Sequence, residues 1–255
     1  MRIAFLFVGQ LRTFEHNVGN IKQQLEYYRA TPGVTCVDVF CHTWTRDGIQ
    51  AGWKPMQEKE HGSEEAITDL LQETLSPKKI QVNEYIEKDY MPNEEIWARY
   101  QDKNDHWYGW RGTRTIGMNY TLYACNELKK QYEEEQGWKY DLVIKTRYDV
   151  QYRRPAISRE DLKRLDLTKF WMPTNSSSNN VNDIIFFGNS EIMDRVCCMY
   201  PLFDKYYKEG VIIFCENILS HHLTANNIPI GRIDIPYAIM YSKDNYSQVE
   251  HESFL

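Results

Sequence analysis

Tyr140-Asp141-Leu142-Val143-Ile144-Lys145-Thr146 runs as a mostly apolar segment and stops abruptly at Arg147-Tyr148-Asp149. A short apolar run that ends in a cation and a carboxylate reads as a buried strand delivering polar groups to the edge of a sheet. The start of the chain repeats the pattern. Arg2 to Val8 is apolar, Gly9-Gln10-Leu11-Arg12 breaks it, and a helical period follows from about His16 to Tyr28. A second strand is expected at Cys36 to Cys41, ending in His42-Thr43-Trp44, then a helix from Ser63 to Leu75 and a strand from Lys79 to Val82. Strands alternating with helices are the mark of crossover units on a parallel sheet.

Beyond the quoted stretch, Ser158 to Asp161 has a capping-box pattern and Lys169 to Met172 reads as a strand. The Asn/Ser-rich run from Thr174 to Asn182 reads as a loop. It is followed by a strand at Asp183 to Phe187, a turn at Gly188-Asn189, and one helix from Glu191 to about Tyr207. A last helix is expected from about Cys215 to Ala225 and a strand from Ile228 to Ile235. Before Tyr140, a long helix covers about Arg114 to Gln136, closed by Gly137. The segment 84–112 is polar and aromatic and reads as a lid or insertion, so residues 1–255 form a single domain. The fold class expected is α/β, a mixed, mostly parallel central sheet flanked by helices.

The composition narrows the function. Thirty basic against 36 acidic side chains give a net charge of -6, whereas nucleic-acid binders usually carry a basic excess. No nucleic-acid partner is expected. No apolar run is long enough to span a bilayer or serve as a secretion signal, which predicts a cytoplasmic protein without a transmembrane segment. Six cysteines lie mostly in apolar segments without a CxxC pair, which suits buried thiols rather than zinc ligands or disulfides. Asn-x-Ser/Thr triplets at Asn119, Asn175 and Asn245 mean little without a secretion signal. The 18 Tyr and 7 Trp suit polar clefts that stack sugars or bases as well as cores.

Ligands of open α/β sheets bind beyond the carboxyl ends of the strands. The residues expected there are Gly9, Gln10 and Arg12, His42 and Trp44, Arg147 and Asp149, then Gly188-Asn189. Gly9 permits close backbone approach, Gln10 offers a donor and an acceptor to a base or ribose, and Arg12 can fork onto phosphate. GxGxxG and GxxxxGK[ST] are both missing, which argues against dinucleotide and P-loop chemistry. Asp149 could hold a divalent cation against a diphosphate, with Arg147 on a phosphate oxygen; an ordinary Arg-Asp pair explains the same residues. Glu216, in the first turn of a helix, and Asp183 could each accept a proton from a hydroxyl. His221 and His222 are adjacent and suit structure better than metal binding. Glu133-Glu134-Glu135 reads as a solvated helix face, and Trp97, Trp107 and Trp110 as packing more than stacking.

The order of these elements, with Gly9 to Arg12 after the first strand and Tyr140 to Asp149 later, resembles nucleotide-sugar glycosyltransferases of the GT-A type, particularly small viral and bacterial ones. The resemblance extends from Met1 to about Asn227. It implies a Rossmann-like GT-A fold, a nucleoside diphosphate sugar donor and a glycan acceptor. In that family an Asp-x-Asp binds Mn²⁺ or Mg²⁺; here Asp149 matches its second acid and Arg147 stands at the first. Asn182 to Gly188 resembles the family's acceptor-side segment, and Phe214-Cys215-Glu216-Asn217 the helix start whose acid is the base of inverting members. His251 would match a C-terminal metal-binding histidine. A carbohydrate- or nucleotide-binding module without catalysis, and a nucleotidyl or phosphoryl transferase, are the other expectations.

Overall fold

The computed structural model describes residues 1–47, 59–100, 112–174 and 181–240. Strand β1 (Arg2–Val8) is buried over nearly all its length because its side chains feed two cores. Ala4, Leu6 and Val8 face one, and Ile3, Phe5 and Phe7 the other. This is the period of two that a doubly covered strand imposes.

The first core is roofed by α3 (Glu94–Tyr100), α4 (Gly112–Gln136), α6 (Ser190–Cys197), α7 (Phe203–Lys208) and α8 (Cys215–Ala225). The second is roofed by α1 (Phe14–Arg29), α2 (Glu64–Leu75) and α5 (Arg159–Arg164). Between the layers lies a seven-stranded sheet built from β1, β2 (Cys36–Trp44), β5 (Lys79–Asn83), β6 (Leu142–Thr146), β8 (Phe170–Pro173), β9 (Phe186–Gly188) and β10 (Ile230–Ile233). The expected mixed, mostly parallel sheet flanked by helices is present, in the order β10-β8-β9-β6-β1-β2-β5. Only β9 runs against its neighbours, antiparallel to both β6 and β8.

That one reversal matters for the site. Lys145 at the end of β6 pairs with Phe186 at the start of β9, and Val143 pairs with Gly188. Gly188 and Asn189 therefore lie at the amino edge of β6, opposite the edge where the sequence placed them. Asn189 caps α6 there, its side chain accepting from the Ile192 amide. Asp183 takes their place at the carboxyl edge.

Other elements depart from expectation for local reasons. The single helix expected from Glu191 to Tyr207 is broken after Cys197, where a 3₁₀ turn at Tyr200–Leu202 carries Pro201, which has no amide hydrogen to continue a helix. The strand expected from Asp183 starts only at Phe186, and that expected from Ile228 to Ile235 is confined to Ile230–Ile233. Two short ladders went unforeseen: β3 (Arg46–Asp47) with β4 (Lys59–Glu60), and β7 (Val150–Tyr152) with β11 (Tyr237–Ile239). The expected helices at Ser63–Leu75 and Cys215–Ala225 are present; Ser158 caps as its neighbours suggested, and Ser63 caps α2 as well.

A polar stripe on α1 fixes the path of the chain after β6. Asn17 donates to the carbonyls of Tyr148 (2.9 Å) and Val150 (2.6 Å). Asn20 donates to Tyr152 O and accepts from Tyr152 N, each at 2.8 Å. Gln24 does the same for Arg154 O and Ala156 N, and Tyr28 accepts from Ile157 N. Positions 17, 20, 24 and 28 recur at helical spacing on one buried face. Their side chains serve the backbone of 148–157 as a neighbouring strand would, which satisfies polar groups that burial would otherwise leave costly.

Of the segment 84–112, residues 84–100 are described, with Gly112 opening α4. They form a 3₁₀ turn at Glu87–Tyr90 and α3, in which Trp97 is half-buried. Trp107 and Trp110 lie outside the described residues, as do Asn175, Asn245 and His251.

Candidate active site

β1, β2, β5 and β6 run parallel, with Phe7 opposite Thr146, Val8 opposite His42 and Trp44 opposite Asn83. Gly9 to Arg12, His42 to Trp44 and Arg147 to Asp149 thus share one edge. At Gly9 the chain turns with φ 98°, which costs a glycine nothing, and its carbonyl accepts from Thr43 Oγ1 at 2.8 Å. Leu11 is buried, and Arg12 adopts φ 49°, a left-handed conformation rare outside glycine, asparagine and aspartate. Strain of this kind persists where surrounding contacts hold it, and here the contact is ionic.

Arg12 Nη1 donates to Asp149 Oδ2 at 2.7 Å. Arg147 grips the same carboxylate through Nε to Oδ1 at 2.9 Å and Nη2 to Oδ2 at 2.6 Å. Between them in sequence, Tyr148 is fully buried and donates from its hydroxyl to Phe7 O at 3.2 Å, pinning the turn to the end of β1. The Asp149 backbone is held as well, its carbonyl accepting from Met240 N. The Asp149 side chain is 0% exposed, while Arg12 and Arg147 retain 12% and 18%. Burial alone would raise this carboxyl, but the Arg147 and Arg12 guanidiniums outweigh it and hold it below the ordinary carboxylate range. Two guanidiniums thus meet on one carboxylate. The Nε–H of Arg12 is buried and meets no acceptor among the described residues.

A divalent cation on Asp149 does not fit this arrangement. A carboxylate offers about four lone-pair directions, and three are occupied by guanidinium hydrogens. Among the described residues no group of three or more His, Cys, Asp or Glu could hold a metal ion. The residue that would supply a second acid is Arg147, which brings a like charge to any cation instead.

Gln10 is half-buried beside Arg12 in the turn. His42 and Trp44 are placed at the edge as expected, but both are enclosed, at 0% and 2% exposure. His42 Nε2 meets Asn83 Oδ1 at 2.9 Å, and its ring packs edge-on to Trp44 and Tyr120. Burial lowers its pKa to about 4 despite the Asn83 hydrogen bond, so the ring is neutral at pH 7. Trp44 is ringed by Tyr85, Tyr90 and Tyr120. Both rings are packed in the structure, where the segment 84–100 lays Tyr85 and Tyr90 over the end of β2.

The acceptor-side candidates form a second group. Asp183 lines a cavity of only about 10 Å³ with Asn119, Lys145 and Cys215, among others. Lys145 was not anticipated: it is 2% exposed and donates to the carbonyls of Asp183 and Ile184. Burial pulls its ammonium down to about 8, Asp183 acting to raise it and Arg147 to lower it further. Arg147 thus bears electrostatically on both groups. Glu216 follows Cys215 in the first turn of α8 and is half-buried. A lone lysine inside an apolar strand was the one available signal for Lys145.

Several structural expectations are settled by the same geometry. His222 is buried between Tyr206 Oη (2.6 Å) and Arg195 O (2.7 Å), and His221 meets Glu209 on the surface. Glu133 is not solvated: it is 1% exposed, ion-paired to Lys129 at 3.2 Å and Lys139 at 3.1 Å, and accepts from the Tyr140 amide. Asn119 is 2% exposed on α4, out of reach of a glycosylating enzyme in the folded chain. The six cysteines are free thiols. No helix among the described residues is long and apolar enough to cross a membrane.

No protein-family model and no curated protein matches the chain. Among solved structures it is similar to the CTP:phosphocholine cytidylyltransferase LicC of Streptococcus pneumoniae, at 12% identity and a TM-score of 0.45 over 97% of each chain. The galactosyltransferase LgtC, solved with donor and acceptor sugar analogues, shares 13% identity at a TM-score of 0.42, covering 91% of this chain and 73% of its own. The glycosyltransferase GlyE of Streptococcus pneumoniae TIGR4 shares 10% at a TM-score of 0.45, over 89% of this chain and 44% of its own. Likeness at these scores carries over no activity.

Proposed function

We propose that this chain is a glycosyltransferase that takes a sugar from a nucleoside diphosphate donor and passes it to a glycan hydroxyl. The observation that carries the reading is the pair of guanidiniums, Arg12 and Arg147, locked onto buried Asp149 at the carboxyl edge of the sheet. Two partly exposed guanidiniums suit the oxygens of a diphosphate, and their charge stabilises a diphosphate leaving group most as negative charge builds there. The sequence resemblance to GT-A enzymes through Gly9–Arg12 and Tyr140–Asp149 supports the same assignment. Gly9 and Gln10 lie beside Arg12 for the nucleoside end of the donor.

In the reaction, the acceptor hydroxyl oxygen attacks the anomeric carbon and the carbon–oxygen bond to the diphosphate breaks, its electron pair leaving with the diphosphate. The hydroxyl proton passes to a carboxylate. Glu216 at the start of α8 and Asp183 beside Lys145 are the candidate bases for an inverting transfer. The test is transfer and donor hydrolysis across a panel of UDP- and GDP-sugars with mixed glycan acceptors. Arg147→Ala should lower kcat/KM at least about tenfold, as expected for losing a charge-assisted contact. Failure of every donor to bind or turn over would remove the assignment.

A further inference from the structure

We propose that the diphosphate site works without a divalent cation, Asp149 acting as the positioning carboxylate that aims two arginines at the phosphate oxygens. This rests on the donor-diphosphate reading and specifies how that site holds its charge. A cation needs open carboxylate oxygens, and Ca²⁺ and Mg²⁺ sites assemble several such ligands. Asp149 Oδ2 already accepts from Arg12 Nη1 and Arg147 Nη2, and Oδ1 from Arg147 Nε, with none of the side chain exposed to solvent. A metal ion placed there would sit against two fixed positive charges. The two partly exposed guanidiniums offer donors and positive charge, which suit an anionic oxygen and not a metal ion.

The arrangement also accounts for the backbone at Arg12. Its left-handed φ of 49° brings the guanidinium onto a carboxylate carried by a distant strand end. Arg147 and Arg12 together supply fixed positive charge where a metal-dependent site would recruit it from solution, and a guanidinium fork matches phosphate geometry.

The full chain is tested with two simple probes, Mn²⁺ alone and inorganic pyrophosphate alone. Calorimetry should find pyrophosphate bound equally, within about twofold, in EDTA and in Mn²⁺. Asp149→Asn and Arg147→Gln should each weaken it about tenfold or more, the loss expected of a charge-assisted contact. Mn²⁺ titration followed by electron paramagnetic resonance should be the same in wild type, Asp149→Asn and Arg147→Gln. Arg147→Gln is informative if Asp149→Asn does not fold. A stoichiometric Mn²⁺ site lost in Asp149→Asn, pyrophosphate binding only when Mn²⁺ is present, or no pyrophosphate binding in either buffer would each overturn the proposal. Pyrophosphate bound in EDTA with no nucleotide sugar turned over would instead remove the transferase reading while the cation-free anion site stands.

Discussion

Asn20 and Tyr152 exchange two hydrogen bonds, the amide nitrogen of Asn20 donating to Tyr152 O and its oxygen accepting from Tyr152 N, both at 2.8 Å. A side-chain amide thereby reproduces the pairing of a strand, and it does so at 2% exposure. With Asn17 one turn earlier, it sets where the chain goes after Asp149, and so where the site's carboxylate sits. Asn20→Ala leaves a buried N–H and C=O of Tyr152 without this partner. Such groups cost about 1–3 kcal/mol each, so urea unfolding should show a loss of about 3 kcal/mol. A loss under about 0.5 kcal/mol, the range of ordinary surface substitutions, would contradict the ladder's role.

Asp149 has its pKa depressed in the fold, burial working against the shift and the two arginines producing it. Its contribution to stability is present above its unfolded value, about 3.9, and is lost as pH falls through the lower folded value. Asp149→Asn should therefore cost most at neutral pH, about 3 kcal/mol by analogy with other broken buried pairs. Below pH 4 the gap between variant and wild type should close. A gap independent of pH in chemical denaturation would mean that the carboxylate charge is not what the arginines hold.

His42 gives the same direction through the opposite chemistry. Burial lowers its pKa from 6.5 to about 4, so an unfolded chain takes up a proton at a pH where the folded chain does not. Stability should fall as pH drops from 6.5 towards 4, and with each pH unit in that window worth about 1.4 kcal/mol the full effect is about 3 kcal/mol. His42→Gln should flatten that slope. His222, also lowered by burial, stays in both proteins and cancels from the comparison. Parallel slopes would show that His42 is protonated in the fold.

Lys129 is 0% exposed and its ammonium contacts Ser190 Oγ at 2.5 Å, Asp194 at 2.7 Å and Glu133 at 3.2 Å. Lys129→Met removes the buried cation from between those acids, leaving Lys139 to pair with both, which should cost about 3–5 kcal/mol. The double variant Lys129→Met/Glu133→Gln should recover part of that loss, as coupled neighbours do. Additive losses in thermal or urea unfolding would argue that the cluster is not one network.

The contrast between Lys129–Glu133 and Arg2–Val8 shows what sequence can carry. An apolar run has few destinations, so β1, β2 and the strand before Arg147 were legible, and with them the turn at Gly9–Arg12. Glu133 sits in a run of three glutamates, and nothing local separates it from its exposed neighbours Glu134 and Glu135. Nor does anything local mark Asn17, Asn20 and Gln24 as buried: partners more than a hundred positions away decide their burial. The reversal of β9 was hidden because three strand residues carry no sign of direction, and it moved Gly188-Asn189 to the far edge. Pro201 did announce the break that splits the helix expected from Glu191 to Tyr207. Arg147 and Asp149 were visible as a pair, but that Arg12 closes on the same carboxylate needed the fold.

The stripe of amides on α1 has one more effect. A strand bordering open solvent offers a row of unpaired groups on which another molecule can template, the usual start of aggregation. Along 148–157 those groups are already taken by Asn17, Asn20, Gln24 and Tyr28, while β11 pairs with β7. The segment that carries the site's carboxylate is thereby closed to sticky encounters with other copies of the chain, even when the protein is crowded.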